Sequence, residues 1–186
     1  MHFSLPTLLG LVASTHAIDV YFSIFDDCSA GDGVQFACTD LPPKTCCSFD
    51  DDDGIFRSIK YANIPLDGRT TAPIVHNGPG CTSGDFFSVI YFIDDVEEYC
   101  IDAPYQVRGT SYDVWDRPER HVGDVAARDV EVECLEKRQP DTLILRDGSR
   151  YNLLGLEKKD VHAVLALAKK DATSADVPEA LKTLRV

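Results

Sequence analysis

Nowhere in this chain of 186 residues do apolar side chains run on for the roughly 20 positions that a helix needs to cross a bilayer. The C-terminal stretch EALKTLRV is polar, so it offers no hydrophobic tail for lipid anchoring. Basic residues are scarce: 18 Lys and Arg stand against 31 Asp and Glu, a net charge of −13. A phosphate backbone or an anionic leaflet must be met by Lys and Arg, so nucleic acid and acidic membranes are excluded as partners. No C-x-x-C pair exists, which removes zinc-ribbon and finger sites. The H-E-x-x-H, G-x-S-x-G and Asp-Thr/Ser-Gly signatures are missing, and no Asn63, Asn77 or Asn152 sequon is complete. Nothing in the sequence calls for a cofactor or a resident metal.

What is present begins with a short apolar run, Leu5 to Ala13, followed by Ser14-Thr15-His16-Ala17. Small residues at 15 and 17 satisfy the −3 and −1 preferences of signal peptidase, so residues 1–17 read as a signal peptide and Ile18 as the mature N-terminus. The segment before the run has no Lys or Arg, only His2, which departs from the usual leader pattern. The protein is expected to be secreted and extracellular.

Seven cysteines follow Ala17. Cys28, Cys38, Cys46, Cys47, Cys81 and Cys100 fall within one stretch, an even number that suits three bridges of undetermined pairing in an oxidising compartment. Cys46 and Cys47 are neighbours; a bridge between them would be strained, so each is expected to reach a different partner. Cys134 is the seventh. It alternates with Val130 and Val132, which predicts an inward-facing unpaired thiol on a strand rather than a link between two chains, and hence a monomer.

Charge divides the mature chain. Residues 18–116 hold 18 acids and 5 basic residues, a net of −13, whereas 117–186 hold 13 of each. This places a boundary near Asp116–Arg117–Pro118, between an acidic Cys-rich β domain (18–116) and a C-terminal region (117–186) free to pack on it. Short β-rich runs fill the first part: Val20–Phe25, Val34–Cys38, Thr45–Phe49, Ile55–Ile64, Pro73–His76, Phe86–Ile93, Glu98–Ile101 and Tyr105–Val114. Gly, Pro and Asp punctuate them, as in a sandwich or Greek-key-like fold. In the second part Thr142–Arg146, Asp147-Gly148 and Arg150–Leu153 predict a hairpin. Leu156, Val161, Val164, Leu165 and Ala168 then fall at helical spacing, and Asp176 is placed to cap a last helix that has Pro178 in its first turn. The expected fold is mainly β, a disulfide-stapled domain followed by a smaller hairpin-plus-helices region.

From Tyr21 to Cys47 the order is aromatic strand, Cys, Gly-rich turn, Cys, then Pro43-Lys44-Thr45-Cys46-Cys47. This resembles a loose class of small secreted cysteine-containing proteins of filamentous fungi, and the resemblance spans roughly 18–105. It implies an extracellular β-rich domain and no particular activity. Hydrophobins, with eight cysteines and two adjacent pairs, are excluded by the single pair and the high charge. The strands are also similar to those of βγ-crystallin-like proteins. Asp26-Asp27-Cys28-Ser29-Ala30-Gly31 has the acidic pair of their calcium signature but not its hydroxyls in register.

The remaining motifs are weaker. Asp50, Asp51, Asp52 and Asp53 precede Gly54, and clustered carboxylates attract hard cations. An EF-hand frame on Gly54 would begin at Phe49 and end at Lys60, so the run reads as a solvated acidic loop with weak metal candidacy. His76 and Cys81 make a nucleophile pair only if Cys81 is unbridged; His76, His121 and His162 share no ligand spacing. Lys137-Arg138 is a dibasic pair open to a processing protease. Two functions fit: a secreted, non-catalytic interaction protein of effector, toxin or wall-associated type, whose acidic surface suits a basic partner, or a small secreted hydrolase working through paired Asp and Glu.

Overall fold

The computed structural model describes residues 16–28, 33–49, 56–82, 88–91, 93–116 and 134–186. The leader up to Thr15, the acidic run Asp50 to Asp53, the pair Arg117–Pro118, His121, Val130 and Val132 lie outside the described residues.

Eleven strands are described, in two sheets. They are β1 (Ile18–Ser23), β2 (Gln35–Leu41), β3 (Thr45–Ser48), β4 (Phe56–Ala62), β5 (Thr70–His76), β6 (Ser88–Ile90), β7 (Tyr99–Val107), β8 (Gly109–Trp115), β9 (Glu136–Arg138), β10 (Thr142–Ile144) and β11 (Arg150–Asn152). Two helices follow, α1 (Lys158–Lys169) and α2 (Glu179–Lys182). The six-stranded sheet runs β11-β10-β2-β1-β4-β7 and the five-stranded sheet β6-β5-β8-β3-β9. Pairing is antiparallel except between β3 and β9. The protein is thus mainly β, with two sheets, three disulfides and C-terminal helices.

Period-two patterning accounts for β1: Ile18, Val20 and Phe22 are buried, while Asp19 and Tyr21 between them are half-exposed. Phe22, Phe36, Phe49 and Phe56 form an aromatic cluster with ring centroids 5.0–5.9 Å apart. Cys38 on β2 and Cys47 on β3 join the two sheets. The buried Tyr61 hydroxyl of β4 meets Thr110 Oγ1 of β8 at 2.5 Å, a polar tie across the core.

Three local expectations are corrected. The strand break expected between Ile101 and Tyr105 does not exist: β7 runs through Pro104 and ends at Val107, and β8 starts at Gly109. Pro104 is tolerated because β7 is an edge strand and its pairing with β4 is irregular at this point. Cys134 is not on a strand; it sits in irregular backbone ahead of β9. Asp176 does not cap α2, whose N-cap is Pro178. Its carboxylate instead accepts both the N–H and the hydroxyl of Thr173, closing a preceding 3-10 turn.

Both sheets draw strands from both sides of the charge boundary. The hairpin β10–β11 extends the first sheet through β2, and β9 extends the second through β3. Gly148, at φ 77°, makes the hairpin turn. On α1, Val161, Val164, Leu165 and Ala168 pack into the same core as Phe36 and Leu143. This makes β9 the edge strand beside β3 in the second sheet and β11 the edge strand of the first.

Candidate functional site

The cysteines divide by strand geometry. Successive side chains of a strand point to opposite faces, so the neighbours Cys46 and Cys47 diverge. Cys47 turns to the facing sheet and bonds Cys38. Cys46 turns away and bonds Cys81, which closes the 3-10 turn Pro79–Cys81 after β5. Cys28, at the end of a turn after β1, bonds Cys100 on β7. Cys134 is unbridged and half-buried.

Cys134 does not stand alone. Its Sγ and those of Cys46 and Cys81 all lie within 4.8 Å of one another. The backbone explains the approach: Leu135 N donates to Lys44 O at 2.9 Å, and β9 then runs parallel to β3 with Lys137 opposite Cys46. Ser111 of β8, fully buried, hydrogen-bonds the Cys134 thiol and lies 3.0 Å from His76 Nε2 on β5. Desolvation lowers the His76 pKa to about 4, so the ring is neutral at physiological pH. Burial pushes the Cys134 thiol up, against the opposing pull of the Ser111 hydrogen bond and the Lys137 ammonium. The Lys137 side chain lies along Gly80: a Cβ built there would come within 3.0 Å of Nζ. Gly109 backs the bridge, for its own Cβ would fall 2.9 Å from Cys81 Sγ. The cluster therefore sets a thiol, a disulfide, a hydroxyl and an ammonium together at one end of the second sheet.

The sequence weighed His76 against Cys81, and Cys81 is bridged. The ring reaches Cys134 instead, through Ser111. Neither Ser111 nor Lys137 stood out for this role, because no sequence spacing links them. Only the β5–β8 and β3–β9 pairings bring them together. Lys137 and Arg138 are both ladder residues of β9, and Arg138 Nη1 donates to Asp40 O at 3.3 Å.

As metal centres, two groups of described residues have the spacing, Cys46–Cys81–Cys134 and Cys28–Cys100–Asp102. In each, two sulfurs are bonded to one another and have no thiolate to offer.

Acids elsewhere act as clamps. Asp141 is buried and accepts from Thr39 N (2.8 Å), Thr39 Oγ1 (3.1 Å) and Thr142 Oγ1 (2.7 Å), pinning β10 to β2. Asp19 accepts Asp40 N at 2.9 Å and Asn63 Nδ2 at 2.8 Å. Asp147 accepts Ser149 N and Ser174 N, at 3.1 and 2.9 Å, and hydrogen bonds from the Ser174 side chain first, then from the backbone of Ser174 and Ser149, hold its carboxyl well below the usual range. Asp67 and Asp176 are lowered in the same way, chiefly by hydrogen bonds from Arg69 and Thr173 respectively. One acidic segment joins such contacts to full exposure: Asp94 Oδ1 accepts Thr70 Oγ1 at 2.6 Å and Glu98 pairs with Lys60 at 3.6 Å. Asp94 to Tyr99 is exposed throughout, with Val96 37% and Tyr99 40% accessible among four acids. Its ends are fixed by the Thr71–Ile93 bridge and by Ile64 N donating to Glu97 O at 3.0 Å.

No curated protein and no solved structure matches this chain. A family model described as the ARB_05566_N N-terminal domain matches residues 18–141, from the first residue of β1 to the Asp141 clamp, which is well over half of the sequence. The chain belongs to that N-terminal domain family.

Proposed function

We propose that the protein is exported and acts outside the cell as a non-catalytic interaction module, of effector, toxin or wall-associated type, that docks a basic partner. The observation that carries this reading is the strip Asp94–Tyr99. It presents four carboxylates around two exposed apolar side chains on a backbone held at both ends. A preorganised surface loses less entropy on binding, and Tyr is an effective anchor at interfaces. Export is supported by the three bridges, and by β1 and the family match both beginning at Ile18, the residue a cut after Ala17 leaves first.

Three exposed acids, Asp67, Asp147 and Asp176, are not disposed as the acid of a hydrolase would be. A general acid needs a raised pKa, and the carboxyls of Asp67, Asp147 and Asp176 all move down. Asp40 and Asp141 share one open depression with Arg138, but Asp141 is engaged by Thr39 and Thr142.

The test is calorimetric titration of the protein starting at Ile18 with a lysine-rich peptide at low and high salt. Binding is expected at low salt and is weakened by screening. A variant carrying Asp94→Asn, Asp95→Asn, Glu97→Gln and Glu98→Gln loses most of it with an unchanged melting temperature. Neutralising the exposed Glu136, Glu157 and Glu179 leaves it nearly intact. Equal losses in both variants defeat the localised reading. N-terminal sequencing of protein from culture medium is expected to begin at Ile18, and a Met1 start rules out export by this leader.

A further inference from the structure

We propose that Cys134 and the Cys46–Cys81 bridge form an internal thiol–disulfide exchange site, in which Cys134 enters the bridge and sets Cys81 free. Three sulfurs within 4.8 Å of one another, one of them a thiol, are the reactants of this exchange already assembled. The surroundings favour it at each atom. Ser111 Oγ, between His76 Nε2 and Cys134, is placed to take the imidazole N–H and to donate its own proton to the thiolate. Lys137, alongside Gly80, lies by the turn that carries Cys81 and stabilises negative charge there. Cys46 is fully buried on β3, so a bond from it to Cys134 links β3 to the segment that leads into its paired strand β9. Cys81 is held with Gly80 in two consecutive left-handed positions, φ 54° and 60°, a conformation disfavoured for a residue with a side chain. Release of Cys81 relieves it.

The step is balanced without an oxidant. The Cys134 thiol loses its proton, and its sulfur bonds Cys46 Sγ. The Cys46–Cys81 bond breaks, and its electron pair leaves on Cys81 Sγ, which takes up a proton. Three bridges exist before and after. The turn Pro79–Cys81 changes from a tethered to an untethered state, with its new thiol at the buried Cys81 next to the exposed Thr82.

The experiment uses the full oxidised chain from Ile18. It is held at neutral and at mildly alkaline pH, quenched in acid, denatured, alkylated without reduction and mapped with fragmentation between Cys46 and Cys47. The expected result is a Cys46–Cys134 peptide with part of the label moved from Cys134 to Cys81, formed faster as pH rises and the thiolate population grows. Lys137→Met slows the exchange while Lys137→Arg preserves it. In Cys134→Ser the Cys46–Cys81 bridge persists under the same conditions and no label is taken up. Label confined to Cys134 at every time and pH overturns the proposal. So does label spread over Cys28, Cys38, Cys47 and Cys100 as well, which marks general scrambling through unfolding.

Discussion

The chain up to Asp116 and the chain after it are stabilised by different means. The first carries 18 acids against 5 basic residues, and every described bridge. The second is balanced at 13 against 13, holds no bridge, and anchors itself through the apolar side of α1 and the hairpin β10–β11. Concentrated like charge opposes the compact state, whereas a cross-link acts largely by restricting the unfolded chain and is indifferent to sign. The acidic part is therefore stapled. The neutral part relies on burying Val164, Leu165 and Leu167. Yet the two share sheets and core, so the contrast concerns the means of stabilisation and not separate bodies.

Reduction is the strongest way to break this contrast. Closing the long Cys28–Cys100 loop contributes about 4 kcal/mol, Cys46–Cys81 nearly as much, and the short Cys38–Cys47 loop about 3 kcal/mol. Together they rival the total stability of a typical domain, about 5–15 kcal/mol. A strong reductant is expected to unfold the protein by circular dichroism, the hairpin included, because β10 pairs with β2. Persistent hydrogen-exchange protection of residues 142–186 after reduction would instead make that region autonomous.

Leu165→Ala approaches the contrast from the other side. It removes a side chain that is 2% exposed at the core and is expected to cost about 3 kcal/mol with all bridges intact. Denaturant unfolding followed by the near-ultraviolet signal of the Tyr61 and Tyr112 region should shift by the same amount as the helical signal. A shift in the helical signal alone separates the two parts.

Acid weakens the stapled side through His76. Burial puts its folded pKa at about 4, below the ordinary 6.5, so the unfolded chain binds the proton first. This stability is complete above about pH 6.5 and declines as pH falls toward 4. Roughly 2 kcal/mol is gone by about pH 5. The melting temperature of His76→Gln should vary less over this range than that of the wild type; an identical slope discards His76 as the sensor.

The smallest effect sharpens the geometry of the bridge. Gly109→Ala places a methyl 2.9 Å from both Cys81 Sγ and Ser48 Cβ, an overpacking expected to cost about 1–2 kcal/mol. In a variant that also carries Cys46→Ala and Cys81→Ala the crowding is relieved, and the penalty in thermal melting should shrink. An equal penalty in both backgrounds assigns the crowding to Ser48 and the Cys47 carbonyl.

Much of the architecture was legible because strand signals are local. Ile18, Val20 and Phe22 announce β1 by alternation, Asp147-Gly148 announces the hairpin turn, and Val161 to Ala168 announce α1 by spacing. Pro104 misled, because a proline says nothing about whether its strand lies at a sheet edge. Cys134 misled in a related way: its alternation with Val130 and Val132 pointed to a strand, but its backbone is irregular and its environment comes from β3 and β8.

By itself the sequence determined the β-rich class, the even set of six cysteines, the divergence of Cys46 from Cys47 and the charge asymmetry, all properties of composition or of neighbours a few residues apart. The tertiary structure alone decided that β9 and β10 complete sheets begun in the acidic part, which sulfurs bond, and that Cys134, Ser111, His76 and Lys137 surround one bridge. The reason is physical. Sheet order and register are fixed by which faces can be buried together, a condition on the whole core, and residues far apart in the chain become neighbours only when that condition is met.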